Sequence, residues 1–272
     1  MKEDVHPDIY ESANQLAGIW EAIVRNYGSG DILSSGGIAT RWSESSFPFF
    51  NTITYTEMAD GAQLDQRLAA SVGYMKGRRH PGFIFLFEEL LSSETKAILH
   101  DALAKTGLRS SLRLTGMAAD LARLDLTPVR PPELSFVRVE SEAHVRAYAD
   151  INCRAYGIPI EAGRDGFGKS DLWTEAYAYL GVVDGIPVSA AATMVVDGRL
   201  FLALVATLPE SQGRGYGKAT VLMALDEGSR ATGLTRSVLH ATDAGRPVYE
   251  RIGYYKTSTI SCLALSDQAA DQ

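Results

Sequence analysis

The sequence predicts an α/β (α+β) fold divided into two domains, and three observations point there. Residues 205–219, VATLPESQGRGYGKA, run from an apolar strand through a glycine-rich turn into a helix. The chain has 272 residues, nearly twice the roughly 150 expected of one domain. Finally, Pro128, Pro131 and Pro132 crowd one short stretch, where their fixed φ and missing N–H block both helix and central strand. They place an extended linker at residues 127–133 and domains at residues 1–127 and 128–272.

In the first half, residues 38–42 and 49–55 read as strands, 62–76 as a helix, 82–87 as a strand, and 93–105 as a helix leading to a strand at 108–114. The second half echoes this order. It opens with a strand at 134–139, a helix at 142–156, and a glycine-rich loop with a short helical segment reaching Trp173. Strands at 176–183 and 186–195 are joined by Asp184-Gly185, a hairpin dipeptide, and Asp197-Gly198 leads into the next strand. That strand, 200–205, is continuously apolar, as one buried on both faces should be. After the turn, Ala219, Leu222, Met223 and Leu225 form a stripe at helical spacing that ends between Gly228 and Gly233. A strand at 237–241, a short helix within 243–254 and a last strand carrying Tyr254 and Tyr255 complete the order.

Composition excludes several classes. A net charge of −7 argues against nucleic acid or an anionic membrane as partner. The two cysteines, Cys153 and Cys262, have no regular spacing, so neither a disulfide framework nor a zinc site is indicated, and both read as buried small residues. Neither a leading basic segment with an apolar run nor a stretch of roughly 18 apolar residues occurs, and a cytoplasmic protein is expected.

The turn at 212–218 is an anion cradle. Glycines at alternate positions let the backbone approach a ligand, and the free amides of a helix's first turn face it with the positive end of the dipole behind them. Arg214 and Lys218 flank it. A phosphate loop of the Walker type needs Ser or Thr where Ala219 stands, and a dinucleotide fingerprint needs Gly where Lys218 stands. What remains is Gln212, Gly215 and Gly217 in the spacing Q-x-x-G-x-G, followed by Tyr249 with Gly253-Tyr254 after it. Together these resemble the GNAT superfamily of acyl-CoA-dependent N-acyltransferases over residues 134–265.

The resemblance implies the GNAT fold, a mixed central sheet flanked by helices, with acetyl-CoA as cosubstrate and no metal. Residues 48–51 (PFFN) and 116–121 (GMAADL) resemble segments of tandem members whose first domain is degenerate, and no glycine-rich cradle lies between Gly82 and Ser93. The first half is therefore expected to have lost coenzyme binding and to serve as a wall or lid, or simply to stabilise the second. By the same resemblance, Val205 supplies a backbone N–H to the thioester oxygen, and Ala206 and Thr207 track the pantetheine arm. Gln212, Gly213, Arg214, Gly215, Tyr216, Gly217, Lys218 and Ala219 receive the pyrophosphate. Thr242 stands where the family often has Asn and Gly245 where it often has Ala, which alters one contact to the pantetheine.

Acyl transfer to an amine also needs a neutral nucleophile, because an amine of pKa near 10.4 is almost wholly protonated at neutral pH. The leaving thiolate needs a proton, for which Tyr249 matches the family's general acid. Glu161, Asp165, Glu175 and His240 are open candidates for the base. Trp42, Phe47, Phe49, Phe50 and Trp173 either line an apolar acceptor cavity or form core. The expected reaction is transfer of an acetyl group to a primary amine, of a small molecule or a peptide, by direct attack in a ternary complex. A longer acyl or aminoacyl donor and a non-catalytic acyl-CoA sensor or interaction module are the alternatives; a homodimer is left open.

Overall fold

The computed structural model describes residues 5–128 and 130–266; Val129 of the expected linker, and residues 1–4 and 267–272 at the outer ends of the two expected domains, lie outside the described residues. The fold is mixed α/β, as the sequence predicts. By its contacts the chain forms two compact units: one holds residues 5–117, His240–Pro247 and 255–266, the other Ala118–Leu239 and Val248–Tyr254.

The first unit opens with α1 (Pro7–Tyr27) and β1 (Asp31–Ser35), both ahead of the first element expected from the sequence. Pro7 starts the helix, where its absent N–H costs nothing, and Gly28 ends it in the left-handed conformation. Ile9, Leu16, Ile19, Trp20 and Ile23 form its buried stripe. There follow β2 (Ile38–Trp42), β3 (Asn51–Tyr55), α2 (Gly61–Lys76), β4 (Phe83–Phe87), α3 (Ser93–Thr106) and β5 (Leu108–Asp120). Asp60 and Gln63 cap α2 reciprocally, which is why that helix begins there. Strands β1 to β3 are antiparallel and β3 runs parallel to β4. Beyond β4 comes the chain's last strand, β11 (Tyr255–Leu265), paired antiparallel through Ile260↔Phe87 to Leu263↔Ile84, and then β5. Leu64, Leu68 and Met75 of α2 pack with Trp42, Ile53, Ile84 and Leu263 as the core of this unit.

The second unit contains β6 (Leu134–Arg138), α4 (Glu142–Tyr156), α5 (Ile160–Gly168), β7 (Tyr177–Val183), β8 (Ile186–Val196), β9 (Arg199–Thr207), α6 (Tyr216–Thr232), the part of β10 (Arg236–Thr242) up to Leu239 and the part of α7 (Arg246–Ile252) from Val248 on. Its strand order is β10-β9-β8-β7-β6. The three pairs from β6 to β9 are antiparallel; tight hairpins join β7 to β8 and β8 to β9, while α4 and α5 lie between β6 and β7. Asp184, Gly185, Asp197 and Gly198 all have positive φ, as two-residue hairpin turns require. The crossover through α6 makes β9 and β10 parallel, and their pairing runs only from Leu200↔Ser237 to Leu202↔Leu239. Beyond Leu202, therefore, β9 continues without a registered partner on that side. The segments expected as 134–139, 142–156, 176–183, 186–195, 200–205 and 237–241 all appear within two residues of their bounds.

Candidate functional site

The site grows from β9. Across β8 the register passes from Ala203↔Ala192 to Ala206↔Ala190, so Leu204 and Val205 face Ala191 alone. This is a β-bulge, two residues opposite one. Leu204 has a φ of +54°, a left-handed conformation uncommon for a residue with a side chain. Its carbonyl accepts hydrogen bonds from the Tyr148 hydroxyl (2.9 Å) and the Asn152 amide (3.2 Å), and the Val205 carbonyl accepts one from the Tyr156 hydroxyl (2.8 Å). Val205, Ala206 and Thr207 thus form the end of β9 that follows its last pair with β10.

The turn after β9 folds by its own bonds. Ser211 N–H donates to Leu208 O (2.8 Å), and the Gln212 side-chain amide donates to Thr207 O (3.2 Å). Gly213 and Gly215 have φ of +77° and +83°, so the alternate glycines serve the backbone conformation. Gly217 serves close approach, because a Cβ there would lie 2.6 Å from Thr207 Oγ1. The first intrahelical bond of α6 is Ala219 N–H to Gly215 O (3.0 Å), and the amides from Gly213 to Lys218 have no carbonyl acceptor among the described residues. These open amides, with the helix dipole behind them, are the chemical content of the cradle. Arg214 and Lys218 are exposed beside it. Tyr216 is buried, its hydroxyl donating to Glu133 Oε1 (2.7 Å), which ties the start of α6 to the segment before β6. Glu210 pairs with Arg154 at the end of α4 (2.7 Å).

Tyr249 lies on α7 in the same unit, 8% exposed, with its ring edge-on to Tyr254. Its hydroxyl has no hydrogen-bond partner among the described residues. Burial, then the neighbouring Tyr156 and Tyr254 hydroxyls, push its pKa well above the usual phenol value, so it holds its proton at neutral pH. A protonated phenol with a free O–H can donate to a thiolate. Tyr254 is core, bonded to Ser237 (2.6 Å), while Tyr255 is exposed in the first unit.

Thr242 and Gly245 belong to the first unit, where Gly245 N–H donates to Thr242 O (3.0 Å) and Thr242 Oγ1 (3.2 Å) to close the turn into α7. Among the base candidates, Glu161 pairs with Arg164 (3.7 Å) and Asp165 with Lys169, while Glu175 is exposed. Glu161, Asp165 and Trp173 share a cavity of about 1060 Å³ with Arg138 and Arg146. His240 lies in the first unit, buried against Phe87 with Ser12 Oγ 2.9 Å from Nε2; burial lowers its pKa to about 3, so it is neutral and a weak base. Trp42, Phe47 and Phe50 are core of the first unit, Phe49 packs on Phe83, and Trp173 stacks on Phe167. Tyr148, Asn152 and Tyr156, which the sequence reading did not select, stand at i, i+4 and i+8 on one face of α4. Both cysteines are buried and unpaired with each other, and no described helix is long and apolar enough to cross a membrane.

A strand broken by a bulge and followed by a helix with an open, glycine-lined first turn is the feature that sets this α/β domain apart. Residues 145–254 match the Acetyltransferase (GNAT) family, and the chain carries a GNAT acetyltransferase domain. Solved structures of similar fold include a GCN5-related N-acetyltransferase from Kribbella flavida, 20% identical, with a TM-score of 0.67 over 92% of this chain and 95% of that one. A functionally unknown conserved protein from Staphylococcus epidermidis is 14% identical, with a TM-score of 0.61 over 87% and 94%. A tandem GNAT protein from the clavulanic acid biosynthesis pathway is 15% identical, with a TM-score of 0.53 over 75% and 68%. No curated protein matches the chain.

Proposed function

We propose that this protein is an acetyl-CoA-dependent N-acetyltransferase that acetylates a primary amine, of a small molecule or a peptide, by direct attack in a ternary complex. The observation that carries this reading is the run of acceptorless amides from Gly213 to Lys218 beside the bulged end of β9. The pyrophosphate of coenzyme A suits such a row of donors, and glycines at 213, 215 and 217 leave the backbone bare toward it. Acetyl-CoA, when bound, would supply the activated acyl group, and coenzyme A would leave as the thiol. The Val205 amide then donates to the thioester oxygen as negative charge develops there, and Tyr249 gives its proton to the departing sulfur. The chain is expected to act in the cytoplasm.

The first unit is proposed to be a degenerate partner domain. Its β4 is paired on both sides, and the turn behind it carries Glu88 and Glu89 in place of glycines. The Glu89 carboxylate accepts the Thr259 amide with both oxygens (2.9 Å each), so a protein anion holds this amide. Two carboxylates at that turn repel phosphate.

Isothermal titration with acetyl-CoA, coenzyme A and ATP, followed by an amine screen, tests the reading. Micromolar binding of the first two, weak binding of ATP and transfer to an amine are expected. Tyr249→Phe should lower turnover more than tenfold with coenzyme affinity nearly unchanged. Binding without transfer to any amine would instead favour an acyl-CoA sensor, and no binding at all would refute the cradle.

A further inference from the structure

Leu204 stands in the left-handed region inside a strand of the second unit. A residue other than Gly, Asn or Asp has little reason to sit at φ +54°, and a bulge disrupts the ladder bonds that hold a strand residue in place. Two side chains compensate at one atom. The Tyr148 hydroxyl and the Asn152 amide both donate to the Leu204 carbonyl, and the two residues are 0% and 1% exposed. The Asn152 amide is itself oriented by a bond to Tyr148 O (3.1 Å), and the Tyr148 ring is pinned by Trp173 (4.9 Å) and Phe167 (6.0 Å).

We propose that Tyr148 and Asn152 are positioning residues for acyl transfer: by gripping the Leu204 carbonyl they set the direction of the Val205 N–H. This rests on the function proposed above, in which that N–H meets the thioester oxygen. The link is geometric. The Leu204 carbonyl and the Val205 N–H share one planar trans peptide and point in opposite directions, so a carbonyl drawn onto α4 turns the N–H away from α4. Tyr156, bonded to the Val205 carbonyl, fixes the next peptide plane in the same way. Helix α4 therefore acts as a template along which Tyr148, Asn152 and Tyr156 read out two consecutive carbonyls of the bulge.

Tyr148→Phe removes one bond and keeps the ring stack; Asn152→Leu removes the other. The test binds acetyl-CoA carrying a ¹³C carbonyl and records the thioester carbonyl stretch by difference infrared spectroscopy, with coenzyme A affinity measured by calorimetry. In the parent protein the stretch should lie below that of free acetyl-CoA. In the double variant at least half of that lowering should disappear, while the Kd for coenzyme A stays within about threefold, because the cradle amides are untouched. If the double variant does not fold, Tyr148→Phe alone carries the test, with a smaller loss of the lowering expected. An unchanged stretch in a folded variant that binds acetyl-CoA overturns this proposal alone. Failure of the parent protein to bind acetyl-CoA overturns the proposed function, and this assignment with it.

Discussion

Replacing Gly217 by alanine isolates the close approach of helix to strand on which the cradle depends. The new Cβ would lie 2.6 Å from Thr207 Oγ1 and 3.8 Å from Thr207 Cβ. The first distance is about half an ångström or more short of van der Waals contact. Threonine is stiff at χ1, so Thr207 cannot swing clear cheaply and the first turn of α6 has to shift. Overpacking of this kind costs about 1–3 kcal/mol, and the helix preference of Ala over Gly returns at most about 1 kcal/mol. A shift of the first turn moves the amides of Gly217 and Lys218 together, so coenzyme A affinity should fall about tenfold, or about 1.4 kcal/mol.

The partner substitution Thr207→Ala removes the obstructing oxygen. The double variant should therefore recover most of the affinity lost in Gly217→Ala, giving a coupling of about 1 kcal/mol in a double-mutant cycle. Calorimetric titration with coenzyme A measures the four affinities, and thermal unfolding monitors the fold. A Gly217→Ala protein with full affinity, or a coupling below about 0.3 kcal/mol, would refute the close-approach account of this glycine.

Two further predictions rest on the backbone and on burial. At Gly215 a side chain would meet nothing within 4 Å, so the constraint is its φ of +83° and not space; Gly215→Val should weaken coenzyme A binding more than tenfold, whereas Gly215→Asn, which tolerates the left-handed region, should recover part of it. Equal affinities for the two variants would mean that the conformation does not matter. His240 has its pKa lowered from 6.5 to about 3 in the folded protein, so between those values the unfolded chain binds a proton that the folded one does not. Stability should therefore be lost as pH falls through that window, at up to about 1.4 kcal/mol per pH unit, and be unaffected by this group above pH 6.5. Urea unfolding of the parent protein and His240→Leu from pH 7.5 to 4 checks this, since parallel stability curves would remove His240 as the cause.

Much of the second unit was legible because its signals are local. Asp184-Gly185 and Asp197-Gly198 announce hairpins through the positive φ that each residue adopts, and Gly213 and Gly215 mark the turn before α6 for the same reason. In the first unit, α1 carried local signals too: Pro7 at its start, Gly28 at its end, and apolar residues at helical spacing between them. The base candidates were less tractable, because a carboxylate's role depends on its neighbours in space. Arg164 and Lys169 engage Glu161 and Asp165, and burial silences His240.

The bulge was illegible for a deeper reason. Residues 200–205 read as an uninterrupted apolar strand, and nothing in that stretch marks Leu204 for a left-handed turn. What holds it there lies on α4, 56 and 52 residues away in sequence. On α4 the only trace is three residues, Tyr148, Asn152 and Tyr156, spaced four apart with polar tips. A helix stripe facing a core is ordinarily apolar, and a stripe whose members carry one hydroxyl or amide each is matched to a surface that presents carbonyls. A regular strand satisfies its carbonyls across the sheet, so such a stripe implies that the opposing strand has turned some of them outward. Read in this direction, the periodicity of α4 predicts the irregularity of β9, and the departure from regular strand geometry at Leu204 is specified by the sequence of a different element.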